Sequence, residues 1–247
     1  MPATRFDVLT IFPDMFDSVL AGSLLGKARA RGVVTVNVHN LRNWAQGPHH
    51  ITDDYAYGGG PGMVMKPEPI VEAVEHLRSS DSWVILLAPQ GRPLTQPVVR
   101  ELVARPHLML ICGRYEGVDE RVRQLVVNDE ISLGDYILSG GEIAAMALID
   151  AVSRYIPGVL GSEESLDEES HAAGLLEYPQ YTRPEVYQGL QVPEVLLSGH
   201  HARIRDWRRA QSLRRTMVRR PDLLGEDRLS VEDRNLLART PVEPGGL

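Results

Sequence analysis

The sequence predicts an α/β protein: an N-terminal domain built on a mostly parallel sheet, followed by a small helical C-terminal domain. Three observations carry this. Short apolar runs that suit buried strands, WVILLA at 83–88 and LMLIC at 108–112, alternate with longer helix-patterned stretches. Two polar, Gly-rich segments, Gly113-Arg-Tyr-Glu-Gly117 and Ser132 to Glu142, stand where loops would leave the carboxyl ends of strands. Beyond Tyr155 the strand pattern stops. The chain becomes acidic, then Pro-rich, then densely basic.

The elements follow in order. Phe6 to Ile11 reads as a first strand, ended by Pro13, and Asp14 to Ala30 as one helix stopped at Gly32. Val33 to Val38 is the next strand. Pro67 opens a helix through Leu77, Trp83 to Ala88 is a buried strand, and Thr95 to Val103 is helical. The run into Cys112 is a further buried strand, and Ile143 to Tyr155 a strongly apolar helix. Strands alternating with helices imply right-handed crossovers in a parallel sheet. Ile156 to Gly161 then breaks the pattern. Residues 162–174 (SEESLDEESHAAG) suit a lid or linker, and the prolines of Tyr178 to Pro193 predict irregular chain. A helix over His200 to Arg219 has Ser198 as its expected cap, and Ser230-Val-Glu-Asp233 reads as a capping box. The tail from Pro241 is expected to fray. The division predicted is 1–160, a lid at 161–175, and 176–247.

At 247 residues the chain accommodates two ordinary domains. No apolar run approaches the roughly 18–20 residues that span a bilayer. The N-terminus lacks a signal peptide's basic and long apolar regions, and the single Cys112 excludes an internal disulfide framework. A cytoplasmic protein is expected. The net charge of −7 argues against a polyanionic partner, but its distribution argues for one. Eight arginines between Arg203 and Arg220 face a single acid, Asp206, so that segment carries +7 and the remainder −14. Such a stripe is the footprint of phosphate binding; the bland alternative is a solvated helix face.

Glycines alone are turn chemistry. Two loops that also carry Arg, Tyr, Glu and Asp point to a binding site. Tyr57-Gly-Gly-Gly-Pro-Gly-Met63 is the densest glycine cluster, but Lys66 precedes Pro67, so it is no nucleotide-triphosphate loop. His49-His50 and His200-His201 are adjacent pairs without ligand spacing, and one cysteine cannot build a zinc site, so no metal ligand set is assigned. Cys112 reads as an inert core residue.

GRYEGVDERV, SLGDYILSGGE, ALIDAVSRYIPGVLG and YGGGPGMVMKP, with YTRPEVY and VLLSGHHARIRDWRRAQSLRRT, resemble the bacterial tRNA (guanine-N1-)-methyltransferase family over nearly the whole chain. The resemblance implies a SPOUT domain with a deep trefoil knot over 1–160, a rare exception to unknotted folding. It implies methyl transfer from S-adenosylmethionine to N1 of the guanosine immediately 3′ of the anticodon. Gly113 and the run Leu133, Gly134, Asp135, Tyr136, Ile137 and Leu138 would form the cofactor site, with Leu87, Pro89, Glu116, Gly140 and Gly141 close by. Gly58, Gly59 and Gly60 would lie near the target base. Arg203, Arg208, Arg209, Arg214 and Arg215 would grip the anticodon stem and loop. A homodimer is implied, each site shared between subunits, and magnesium is implicated near Glu116, Glu169 and Glu177.

The chemistry needs few protein groups, because the cofactor brings its own reactive methyl. N1 of guanine holds a proton at neutral pH, so a carboxylate must remove it while a cation meets charge developing toward O6. The resemblance gives these roles to Glu169 and Arg154. Here the sequence departs from its family, with Glu168-Glu169-Ser170 in place of Glu-Asp-Ser. Asp167 or Glu168 would replace Glu169 if the register shifts. Placement matters, since an error of about 1 Å can cost on the order of a hundredfold in rate. Two rivals stand beside this reading: a SPOUT ribose 2′-O-methyltransferase and a non-catalytic RNA-binding module.

Overall fold

The central strand is β6 (His107–Cys112), every residue of which is buried. In the computed structural model, which describes residues 4–161, 166, 169–172, 174–224 and 229–240, it lies between β1 (Thr4–Thr10) and β5 (Ser82–Pro93). β2 (Val34–Asn40) and β7 (Asp129–Ser132) complete a five-stranded sheet of order β2-β1-β6-β5-β7, parallel throughout. Its strands read as continuous apolar runs because helices cover both faces. The period of two sorts their side chains. Phe6, Val8, Ile85, Leu87, Leu108, Leu110 and Cys112 enter one core. Leu9, Val84, Leu86, Met109 and Ile111 enter the other.

The first core is covered by α1 (Asp17–Ala21), α2 (Ser23–Ala30), α4 (Gln96–Val103) and α6 (Glu142–Ser153), which contribute Leu20, Leu25, Leu102 and Leu148. The second is covered by α3 (Pro67–Leu77) and α5 (Glu120–Val126) through Ile70, Val74 and Val122. Two short strands, β3 (Asp53–Asp54) and β4 (Val64–Met65), form a hairpin carrying the glycine cluster at its tip.

The chain divides into two compact units, Met1–Gly161 and Ser162–Leu247. In the second, an exposed hairpin of β8 (Val186–Tyr187) and β9 (Leu190–Gln191) precedes α7 (Glu194–Leu197), α8 (His201–Arg219) and α9 (Val231–Arg239). Trp207, Ala210 and Leu213 of α8 and Leu236 of α9 are buried. The capping box at Ser230 and Asp233 forms as predicted. No helix among the described residues is long and apolar enough to cross a membrane.

The structure corrects several sequence expectations. The single helix over 14–30 is three pieces, a 3-10 turn at Pro13–Phe16 and then α1 and α2, because Gly22 is extended and Ser23 has a φ of 57°. The strand at 83–88 runs on to Pro93, and α5 and β7, hidden in a mixed-charge stretch, were not anticipated. Ser198 does not cap α8. Its hydroxyl donates to Val195 O and accepts from His200 N, closing the turn before the helix, whose N-cap is His200. The stretch Tyr178–Pro193 is not wholly irregular, since it holds the β8–β9 hairpin. The alternative bases Asp167 and Glu168, residues 162–165 and 173 of the acidic lid, and the tail from 241 lie outside the described residues.

One polar cluster sits inside the sheet. Asp7, fully buried on β1, accepts from His107 Nε2 (2.6 Å), His39 Nε2 (2.8 Å) and Asn37 Nδ2 (2.9 Å), and pairs with Arg5 (2.6 Å). Burial alone would raise its carboxyl. The hydrogen bonds from His107, His39 and Asn37, with the Arg5 charge, outweigh burial and hold it well below its ordinary value of 3.8. A carboxyl depressed in the folded state stabilises fully above its unfolded value, and the gain is lost as pH falls through the folded one. Asp7→Asn should therefore cost about 3 kcal/mol at neutral pH. It should also flatten the acid limb of the stability curve below pH 3.8. Chemical denaturation from pH 7 down to pH 2, in both proteins, checks this.

Candidate active site

Both predicted loops leave the same edge of the sheet. β6 ends at Cys112, and Gly113 to Val118 follows; β7 ends at Ser132, and Leu133 to Gly141 follows before α6 begins. A third segment joins them. β5 pairs with β7 through Leu87↔Ile131 and again through Arg92↔Ile131, so residues 88–91 bulge out of the ladder. Gly91 makes this possible, since a Cβ there would lie 2.5 Å from the backbone of Glu130 and Ile131.

Together the three segments enclose a cleft of about 910 Å³, counting its open mouth. Leu87, Pro89, Gly113, Glu116, Leu133, Tyr136, Ile137, Leu138, Gly140 and Gly141 all line it. Gly134 and Asp135 do not. Gly134 instead makes the turn: Ser132 Oγ bonds to both its N–H and its carbonyl, and the Tyr136 ring lies 3.0 Å from where a Cβ would stand. Asp135 is exposed. The lining mixes apolar side chains (Leu86, Ile131, Ala144) with backbone groups of the irregular loops. That combination suits a flat aromatic base with a polar edge, so the cleft fits an adenosine-containing cofactor.

The loops are stitched to each other. Gly141 N–H donates to Gly113 O at 2.9 Å, Arg114 and Gly140 form an antiparallel bridge, and Arg114 Nη1 donates to Ser139 O at 3.2 Å. Gly141 is needed for this approach: a Cβ there would lie 2.8 Å from Cys112 Cα and 3.1 Å from Gly113 N. Below the loops, burial and then the nearby Glu142 charge push the Cys112 thiol well above its ordinary value, as an inert thiol requires.

The glycine cluster abuts this site through backbone bonds. Glu116 N–H donates to Met63 O, Met65 N–H to Gly117 O, and Asp119 N–H to Met65 O. Gly58, Gly59 and Gly60 have φ values of 87°, 77° and 116°, and a side chain would meet nothing there. Their role is conformational. Gly62, which sequence reasoning passed over, gives the Glu116 carboxyl group room: a Cβ would stand 2.4 Å from Oε1. Arg114 and Tyr115, from the loop whose Arg, Tyr and Glu pointed to a site, also line the cleft, and so does Arg123, which carried no such signal. For Tyr115 the signal is geometric, a φ of 57° at a half-exposed aromatic.

Arg154 caps the C-terminus of α6, its N–H bonded to Asp150 O. Glu169 belongs to the second unit, in a turn closed by Ala172 N–H to Glu169 O and by Glu177 N–H to Ser170 Oγ. Among the described residues no cluster of His, Cys, Asp or Glu side chains could hold a metal ion.

Of the predicted RNA-binding arginines, most also brace the second unit. Arg209 makes a bidentate pair with Asp233 (2.9 and 3.0 Å), and Arg214 bonds the carbonyls of Leu237 and Thr240 at the end of α9. Arg215 donates to Glu177 O at 3.4 Å, and Arg208 lies 4.7 Å over the Tyr178 ring. Arg203, like its neighbour Arg205, is exposed on the first turns of α8.

The close approach of the two loops yields a prediction. Gly141→Ala should destabilise the protein by about 1–3 kcal/mol through overpacking. It should also widen the cleft and weaken whatever ligand it holds. Thermal unfolding and calorimetric titration with S-adenosylmethionine measure both.

Comparison with known proteins identifies the family. A model of the family described as tRNA (Guanine-1)-methyltransferase TrmD matches residues 4–226. A tRNA (guanine-N(1)-)-methyltransferase of Geotalea uraniireducens is 56% identical over 235 residues, covering 94% of this chain and 95% of that protein. Proteins of the same name from Dictyoglomus turgidum (54% identical, 97% of each chain) and Thermomicrobium roseum (52%, covering 97% and 90%) are similar over nearly their whole lengths. With a family match over residues 4–226 and relatives more than half identical over nearly the whole chain, the chain belongs to the tRNA (guanine-1)-methyltransferase family.

Proposed function

We propose that this protein transfers a methyl group from S-adenosylmethionine to N1 of the guanosine immediately 3′ of the anticodon in tRNA. The observation that carries the reading is the cleft at the ends of β5, β6 and β7. Its lining lies wholly within the residues matched by a family of that name. S-adenosylmethionine supplies, when bound, a methyl group on a positively charged sulfur. The protein's part is to bind, orient and manage one proton.

In this reading the loop backbone at Gly113, Leu133 and Tyr136 to Leu138 holds the adenosine, with Leu87 and Pro89 against the base. The Glu169 carboxylate takes the N1 proton as the N1–methyl bond forms, and the Arg154 guanidinium meets the charge developing on O6. Arg154 closes α6 in the first unit, and Glu169 belongs to the second. A homodimer sharing each site between subunits extends the same reading. Supporting it, Phe12, Met15, Val19, Leu24 and Ile143 expose between 38% and 50% of their surface on the first unit. Large apolar side chains grouped on neighbouring elements are the mark of an interface. The trefoil knot belongs to this proposal too, on the strength of the family match.

The second unit, which opens with the acidic lid, would serve as the tRNA-binding domain. Exposed Arg203, Arg205 and Arg219 supply phosphate contacts, and Arg208, Arg209, Arg214 and Arg215 join them while shaping the helical unit. The target base would leave its stack to reach the cleft, near Gly58, Gly59 and Gly60. An enzyme with this substrate works in the cytoplasm.

The test is labelled methyl transfer to tRNA transcripts carrying guanosine or adenosine 3′ of the anticodon, with identification of the product nucleoside. N1-methylguanosine should form on the first transcript alone, and Glu169→Gln should lower kcat on the order of a hundredfold or more. Ribose methylation, or full turnover by Glu169→Gln, would contradict the assignment.

A further inference from the structure

One buried carboxylate beneath the cleft has no part in the chemistry above. Glu142, the first residue of α6, has a side chain only 1% exposed. Both of its oxygens are occupied. Oε1 accepts from Thr10 Oγ1 at 2.8 Å, and Oε2 accepts from Arg114 Nε at 2.9 Å. Thr10 stands at the end of β1, is fully buried and does not line the cleft. Its hydroxyl also accepts from Phe12 N–H at 2.9 Å, and the Phe12 ring lies 4.4 Å beneath the Arg114 guanidinium.

We infer that Glu142 is a positioning residue for the cofactor: anchored by Thr10, it fixes Arg114 and thereby the spacing of the two loops that form the cleft. The inference rests on the reading of that cleft as the S-adenosylmethionine site.

Each loop depends on Arg114. Its side chain reaches from the first loop to Ser139 O in the second, and its backbone pairs with Gly140. Without a counter-charge, a guanidinium only 17% exposed would gain by turning out to water, and the tie to Ser139 would go with it. The groups offered to an adenosine here are largely backbone N–H and C=O, whose reach depends on where the loops stand. A ligand held by such groups is sensitive to small displacements. Folding depends far less on this relay, because two apolar clusters on the faces of the sheet carry the core. A residue that tunes loop spacing should therefore change affinity in a protein that remains folded.

The test uses the full chain and calorimetric titration with S-adenosylmethionine. Glu142→Gln should weaken binding about tenfold, as loss of a charged hydrogen bond would. Thr10→Val, which removes the hydroxyl from a residue outside the cleft, should weaken it about fivefold. Thr10→Ser restores both bonds and should bind within about twofold of the native chain. Melting temperatures taken in parallel separate this from general damage. Native affinity in both Glu142→Gln and Thr10→Val, with only the melting temperature lowered, would overturn the inference. If Glu142→Gln does not fold, the Val and Ser variants at Thr10 decide alone. Failure of the native chain to bind S-adenosylmethionine would overturn the underlying reading and this inference with it.

Discussion

Burial of β6 on both faces is the constraint from which the rest of the first unit follows. A strand whose alternate side chains enter two apolar cores needs helices above and below it. It also needs parallel neighbours on both sides, here β1 and β5. Parallel strands send their carboxyl ends to one edge, and the loops leaving β5, β6 and β7 must therefore meet there. The cleft is a consequence of that meeting. Its chemistry is added by what the loops carry: glycines where backbones come close, apolar residues where a base would lie, and Arg114 where two loops must be tied.

The polar groups inside the fold are organised in the same spirit. Asp7 gathers two histidines, an asparagine and an arginine at β1 and its neighbouring strands, and Glu142 joins Thr10 to Arg114. Each is a buried carboxylate with its partners in place, the arrangement in which burial is tolerated. The Asp7 cluster braces strands at a distance from the site. The Glu142 relay ends in the cleft wall, which makes it the one with consequences for binding.

Much of this was legible in the sequence, for reasons that can be named. The runs 83–88 and 108–112 are apolar at consecutive positions and too short for a buried helix, as strands buried on both faces require. The loops after Cys112 and Ser132 announced themselves by carrying Arg, Tyr, Glu and Asp among glycines. Other features gave no local signal. Residues 118–131 mix charges with valines, so α5 and β7 lacked a readable period. The break at Gly22–Ser23 depends on a backbone conformation and not on composition. The Thr10–Glu142 bond spans 132 residues, beyond any spacing rule. The arginine stripe was read as a phosphate surface from charge alone; that Arg209, Arg214 and Arg215 also hold the second unit together emerges only from their partners.

The claim at the centre of this account is that the cleft between the β5 bulge and the loops after β6 and β7 holds S-adenosylmethionine. Hydrogen exchange of the native chain, with and without that molecule, tests it most directly. The account predicts slower exchange confined to three segments of the first unit: 87–91, 113–118 and 133–141. Binding without protection there, or protection confined to other parts of the chain, would contradict it.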